Sequence, residues 1–553
     1  MLSRVRLRRT TPAKAGDARR RFLGGRNQAV TGRHVISVWC ASLLLLGVAW
    51  VVINPAPSGS DEPAHYIHAL ATGGGEIVGP HALFPSRDAN FPDAVNLWDQ
   101  SSRRFSVPAR IAPASTFACT AGNWSVPATC TNGSRCERWA AACATEPPTT
   151  GSVSLVTYTG DYEPTFYVLP GVVARLANND VNGLRAARLG GLLVAVALLG
   201  MAGLLLWDRR EPAMSLVGLL ISVTPTVMYM NSVVNPNGGE IVSSIAFIAA
   251  LLRIRRDGEA TSRFTWMAAG VSGALCGFSK IDGPAWVLVA TVAIVALLGI
   301  KGSFAIVRHG GRWAAFAVTA AAVGVLADQV WWHFIVGVPT FLHPASSGIR
   351  YITEIAGAVP QLVQQMIGAF GWGEGDISAG SFTYLVWSVM AVGVASLAML
   401  VASRRERVVI SALVAFDIVY MVVTGAVARV EFGFGGTGTL GRYLLPLVVI
   451  TTLTAGEVLT QNHRRLGSLS PRRLVAGIAI TTAACQFVSL WMAARAYAVS
   501  TTGPLLFLGK SQWYPPLGWA PWLALAAIGC SGVAVVGWLA MISNRRTTLA
   551  SSG

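Results

Sequence analysis

The chain has 553 residues, of which 53% are hydrophobic and only 12% charged, whereas a soluble protein carries about 25% charged residues. A chain of ordinary soluble domains is therefore excluded, and lipid is the solvent for most of the sequence. The net charge of +17 does not call for nucleic acid as a partner, because Lys and Arg gather in the cytoplasmic loops of membrane proteins.

Residues 1–34 form a basic cytoplasmic arm (Arg4, Arg6, Arg8, Arg9, Lys14, Arg19, Arg20, Arg21). It is read as an orientation signal with affinity for anionic membrane lipids. The apolar run 35–53 is longer than the core of a signal peptide and no A-x-A site follows Ile53, so it is an uncleaved first transmembrane helix. Residues 54–185 form a large first extracytoplasmic loop domain of about 130 residues. Its middle holds Cys119, Cys130, Cys136 and Cys143. An even number of cysteines in an oxidising compartment predicts two disulfides, with the pairing open; a zinc site is the rival reading, but no C-x-x-C pair occurs.

Residues 186–542 are a multi-helix transmembrane domain, with further apolar runs near 187–207, 213–232, 239–252, 264–279, 283–299, 313–334, 382–402, 408–427, 443–460, 474–498 and 519–542. The fold class is thus an all-α polytopic membrane protein of about 12 transmembrane helices. Residues 543–553 are a tail. Basic residues concentrate on alternate connections, which puts both termini in the cytoplasm and the multi-pass chain in the plasma membrane. Cys40, Cys276, Cys485 and Cys530 fall in spans as packing residues, and Gly273 with Gly277 makes a GxxxG helix-packing pair.

Ionisable groups at a membrane surface are costly unless something uses them, and they cluster at a few places. After the first span comes Ser60-Asp61-Glu62-Pro63-Ala64-His65, where Pro63 suits a first helical turn and places the acids at its positive end. Glu62 and His65 share a helical face. The pair either holds a divalent metal or lets His65 orient a carboxylate. Gly160-Asp161-Tyr162-Glu163-Pro164 closes the same loop, read either as a polar site set among aromatics or as an aromatic belt.

Asn235-Pro236-Asn237 and Glu240 open the fourth span, where unsatisfied N–H groups favour an anion. Lys280 and Asp282 interrupt the hairpin of the fifth and sixth spans. They either pair with each other, or Lys280 joins Arg350, Arg429 and Arg442 on the outer side as a phosphate contact. Gly433 to Gly441 contains a formal G-x-G-x-x-G, but the strand a dinucleotide site needs is missing. A loop that brings Arg442 and Tyr443 to a ligand is the better reading.

The motifs DEPAH, DYEPTFY, TPTVMYMNSVVNPNGGE, SKIDGP and GRYLLPL, in this order, resemble the DUF2142 family of bacterial polytopic membrane proteins, which is similar to the GT-C superfamily of glycosyltransferases. The resemblance implies a GT-C-like fold and a lipid-linked sugar donor, a polyprenyl-phosphate sugar, with a glycan or lipid acceptor. It further implies an acid of the first outer loop at the active site. On it, Asp61 is the base with Glu62 next, His65 orients or ligates, and Lys280 and Arg442 contact phosphate. Asp161, Glu163, Asn235, Asn237, Glu240, Arg350 and Tyr443 complete the expected substrate-binding set. Where the family often has Asn-Pro-Asp, this chain has Asn235-Pro236-Asn237, which leaves Glu240 to substitute. Two other classes fit the same pattern: a transporter or flippase of envelope precursors, and a non-catalytic scaffold for envelope assembly.

Overall fold

The computed structural model describes residues 31–83, 99–113, 127–129, 150–337, 348–371, 377–432, 440–467 and 470–543. Its elements in chain order are α1 (Gly32–Ile53), α2 (Glu62–Thr72), β1 (Arg103–Pro108), β2 (Ser152–Thr157), α3 (Val168–Ala174), α4 (Asp180–Leu206), α5 (Val217–Ser222), α6 (Pro225–Met230) and α7 (Pro236–Asp257). Then follow α8 (Arg263–Gly277), α9 (Gly283–Leu298), α10 (Ile300–Val330, continued as a π-helix over Trp331–Val336), α11 (Gly348–Gly368), and the short strands β3 (Ala369–Phe370) and β4 (Ile377–Ser378). The last are α12 (Ser381–Val401), α13 (Arg404–Phe432), α14 (Gly441–Asn462), α15 (Pro471–Val499) and α16 (Ala520–Ser543).

Among the described residues, nine helices are long and apolar enough to cross a membrane. The other three expected spans also have helical counterparts, but short ones. The run 213–232 is broken into α5 and α6, because Pro225 offers no N–H and the Thr224 hydroxyl, accepting from Val227 N, starts a new helix there. The runs 264–279 and 283–299 become α8, of 15 residues, and α9, of 16.

α7 and α14 are the central helices, with 89% and 83% of their apolar windows buried, while α10, α12 and α13 bury 22% or less and line the periphery. Small residues let the helices close. A Cβ on Gly456 of α14 would lie 2.5 Å from Gly218 Cα of α5. Gly273 and Gly277 of α8 sit against Ala321 and Val325 of α10, so the GxxxG pair does pack helices. Cys40, Cys276, Cys485 and Cys530 are free. Cys119, Cys130, Cys136 and Cys143 lie outside the described residues.

The described part of the first loop folds onto one end of the bundle. α2 lies against α3 so closely that a Cβ on Gly171 would meet Ala69 O at 1.8 Å. An antiparallel hairpin, β1 with β2 in the register Arg103↔Thr157 to Pro108↔Ser152, adds strand structure that an all-α reading did not include. The Thr157 hydroxyl donates to Ala64 O and ties the hairpin to α2. At the opposite end the connections are cross-linked by the ion pairs Arg255–Glu406, Arg256–Glu457 and Arg464–Glu211.

Candidate functional site

The site is assembled where α1 ends and α2, α7 and α14 begin. Asp61 is the N-cap of α2 and has a φ of 53°, a left-handed conformation that few residues other than glycine adopt. The chain is held there by its neighbours. The Ser60 hydroxyl donates to Gly371 O at 2.8 Å, and Asn235 Nδ2 donates to Ser60 O at 2.9 Å. Asp61 is thereby turned away from its own helix. Its Oδ1 accepts from the Tyr158 hydroxyl at 2.9 Å and its Oδ2 faces Arg442 Nη2 at 2.9 Å. Its side chain is 28% exposed and that of Arg442 5%. Burial first, and the charge of Asp61 second, raise the Tyr158 phenol well above its ordinary range, so it stays a donor.

Beside this pair stands Lys280, buried between α8 and α9. It donates to Asn237 Oδ1 at 2.9 Å, Asn237 Nδ2 donates to Asn235 Oδ1 at 2.7 Å, and Asn235 ends the chain on Ser60 O. Two side-chain amides, each donating and accepting, thus connect Lys280 to the residue before Asp61. Lys280 also lies 3.9 Å from Glu240 and 4.1 Å from the Tyr443 ring centroid. Burial would pull its ammonium down, but Glu240 and then Tyr443 outweigh that and hold it above its ordinary value. Glu240 in turn accepts from Trp286 Nε1 at 2.7 Å. Lys280 is therefore paired with α7 rather than with Asp282, and Asn237 gives it an amide oxygen while Glu240 supplies the countercharge.

Glu62 does not stand beside Asp61 as a second base. Arg188 reaches it from inside α4 with Nε to Oε1 at 2.7 Å and Nη2 to Oε2 at 2.6 Å, both side chains being fully buried. The same carboxylate accepts from Gly59 N and Val234 N, each at 3.0 Å, and Arg188 also donates to Val51 O, Asn54 O and Pro55 O. With every oxygen spent, Glu62 is a structural anchor. A metal bound by Glu62 and His65 does not fit this arrangement, and among the described residues no group of three or more His, Cys, Asp and Glu is placed to hold an ion. His65 instead shares a 2.6 Å hydrogen bond with the Tyr167 hydroxyl. Burial, then the charge of Arg442, holds its imidazole well below the ordinary range, so it is neutral. His68 donates from Nδ1 to Thr159 O at 2.8 Å, and burial lowers it to about 4.

Asp161 and Glu163 form a separate layer against the π-helix. Asp161 pairs with Arg103 at 2.7 Å, and burial nevertheless pushes its carboxyl up to about 6. Glu163 accepts from Trp332 Nε1. Burial, reinforced by Asp328 alongside, raises it well above the carboxylate range. The structure thus brings Asp61, Lys280, Arg442, Tyr443, Asn235, Asn237 and Glu240 together, and sets Glu62, Asp161 and Glu163 in the supporting frame. Arg350 falls in α11, and its side chain lies outside the described residues, as does that of Arg429. Sequence reasoning missed Tyr158, Arg103 and Arg188. For Arg188 a signal existed, since a lone Arg within an apolar span needs an acid to face it.

The sequence profile described as "Predicted membrane protein (DUF2142)" matches residues 44–451. No curated protein matches the chain. Among solved structures, ArnT from Cupriavidus metallidurans in the apo state is similar with a TM-score of 0.35 and 13% identity, over 69% of this chain and 66% of that one. ArnT bound to undecaprenyl phosphate gives a TM-score of 0.35 and 15% identity, over 69% and 67%. The chain spans about two thirds of the length of these ArnT chains.

Proposed function

The chain belongs to the DUF2142 family of membrane proteins, and from that premise we propose that it is a membrane glycosyltransferase of the GT-C type. It moves a sugar from a polyprenyl-phosphate donor to a glycan or lipid acceptor of the cell envelope, at the outer face of the membrane. The observation that carries the reading is the arrangement of one partly exposed carboxylate, Asp61, against the buried cations Arg442 and Lys280 at one end of the bundle.

Such a transfer needs a base at the acceptor hydroxyl and positive charge at the departing phosphate. A bound lipid phosphate competes with Asp61 for Arg442 and draws Lys280 as a point charge. That competition frees Oδ2 of Asp61 for the acceptor hydroxyl, while Tyr158 keeps Oδ1 in place. The hydroxyl proton passes to Asp61 as its oxygen bonds to the anomeric carbon. The bond from that carbon to the phosphate breaks, and the leaving polyprenyl phosphate keeps the electron pair, its charge met by Arg442 and Lys280. A polar cluster at one end of the bundle suits an enzyme at that surface, whereas a transporter would gather ionisable groups near the bilayer midplane; the mid-span acid Asp417, which accepts from the Thr451 hydroxyl at 3.0 Å, stands apart from that cluster.

Purified protein in proteoliposomes, supplied with lipid extract from cells that lack it, is expected to release polyprenyl phosphate from its sugar-charged form. Lys280→Gln and Arg442→Gln should each lower that release by at least 100-fold, on the order of a lost charge-stabilising donor. Release at the wild-type rate in both variants would remove the reading.

A further inference from the structure

The end of α11 and the strand β3 behind it touch the backbone next to both members of the Asp61–Arg442 pair. On one side Gln365 Oε1 accepts from Gly441 N at 2.7 Å. Gly441 is the first residue of α14, and Leu440 before it makes no side-chain cap. That N–H would otherwise be one of the donors a helix start leaves unsatisfied. Gln365 thus caps α14 from another helix, one residue before Arg442. The two helices meet closely there, since a Cβ on Gly441 would lie 2.7 Å from Leu362 O. On the other side Gly371 O accepts from the Ser60 hydroxyl at 2.8 Å, one residue before Asp61. Gly371 has a φ of 96°, which glycine adopts without a steric cost.

The segment 365–371 is itself braced by the break in the third apolar run. The last carbonyls of a helix have no partner within it, and side chains of the short helix α6 and its cap meet those of α11. The Thr224 hydroxyl donates to Met366 O at 2.7 Å and the Thr226 hydroxyl to Gln365 O at 2.8 Å. The Tyr229 hydroxyl accepts from Gly371 N at 3.0 Å. Gln365 and Ser60 are 5% and 1% exposed, so each acts through the residue beside the charge and not on a ligand. We infer that Gln365 and Ser60 are positioning residues, and that the braced segment sets where Arg442 and Asp61 stand relative to each other. Gln365 fixes the start of α14 and so the guanidinium of Arg442. Ser60 fixes the left-handed turn that aims Asp61 away from its own helix. Such placement matters to a transfer, because a displacement of about 1 Å can cost about 100-fold in rate. The inference rests on the proposed transfer for what the pair does, and on the contacts alone for how the pair is held.

The test uses the full-length protein and three readouts: amide hydrogen exchange without substrate, binding of undecaprenyl phosphate by native mass spectrometry, and release of polyprenyl phosphate in proteoliposomes. Gln365→Leu and Gln365→Met, which lose the accepting oxygen, are made with and without Arg442→Gln. Ser60→Ala and Gly371→Ala probe the other side, and thermal unfolding identifies the folded variants. Loss of the Gln365 oxygen should raise exchange at Gly441 and weaken undecaprenyl phosphate at least tenfold, but only while Arg442 is present, because an effect that acts through Arg442 disappears with it. Ser60→Ala and Gly371→Ala should bind undecaprenyl phosphate as wild type does. They should lower release at saturating lipid extract at least tenfold with the half-saturating amount unchanged. Unchanged exchange at Gly441 in both Gln365 variants would overturn the inference, as would equal weakening with and without Arg442, or release at the wild-type rate in Ser60→Ala and Gly371→Ala. If wild type neither binds undecaprenyl phosphate nor releases polyprenyl phosphate while exchange at Gly441 still rises in the Gln365 variants, the proposed transfer has failed and the bracing of Arg442 has not.

Discussion

Asp61 and Glu62 are neighbours in sequence and opposites in role. Asp61 keeps some exposure and two replaceable partners, whereas Glu62 is buried against Arg188 with no oxygen to spare. Removing one member of a buried ion pair strands the other charge and costs about 3–5 kcal/mol, while replacing both with apolar or neutral groups costs much less. Glu62→Gln should therefore destabilise the protein by about that amount, as read by denaturant unfolding in detergent, and Arg188→Met by at least as much, because it also removes the donor to Val51 O, Asn54 O and Pro55 O. Equal stability of Glu62→Gln and wild type would contradict the anchoring role. The sequence made Asp61, Lys280 and Arg442 legible because charge at a membrane surface is conspicuous. It did not separate Asp61 from Glu62, because the partner that decides between them lies 126 residues away and spacing along a chain carries no such distance.

At the scale of elements, α2 carries two buried imidazoles, His65 and His68, and both must stay neutral for the helix to remain docked. The unfolded chain takes up these protons near pH 6.5 and the folded one only well below that, near pH 4 for His68. The unfolded state binds more protons across that window, so stability is full above about 6.5 and falls as pH drops toward 4, by up to about 1.4 kcal/mol per pH unit for each group. Thermal unfolding of His68→Gln should show a shallower pH slope than wild type between pH 6.5 and 4. An unchanged slope would mean that His68 is protonated in the folded protein. α2 itself was legible from its acids and Pro63, and so were the helical runs of the bundle. The β1–β2 hairpin was not, because two six-residue strands separated by 43 residues leave no periodicity that outweighs the surrounding loop. The break between α5 and α6 shows a related limit: Thr224-Pro225 was visible, but that it would split the span depended on where the chain had to bend.

For the whole molecule, the two ends of the bundle differ in kind. One carries Asp61, Lys280 and the folded loop, and the other the Arg–Glu pairs 255–406, 256–457 and 464–211. From the distribution of basic residues we propose that the second end faces the cytoplasm, with both termini on that side. A fluorescent-protein fusion after Gly553 should then fluoresce, and an alkaline phosphatase inserted after Gly151 should be active. The reverse pattern would turn the proposed site to the wrong face.

The most direct measurement is mass spectrometry of lipid-linked sugars and envelope glycans in cells lacking the protein, complemented with wild type or with Asp61→Asn. Asp61→Asn keeps the shape and the hydrogen bond from Tyr158 but cannot take the acceptor proton. A polyprenyl-phosphate sugar should accumulate in the absence of the protein while one glycan loses a residue. Wild type should restore both, and Asp61→Asn, present in the membrane at a normal level, should restore neither. Glycans that do not change on loss of the protein, or that Asp61→Asn restores in full, would contradict the assignment of Asp61 as the catalytic base of a glycosyl transfer.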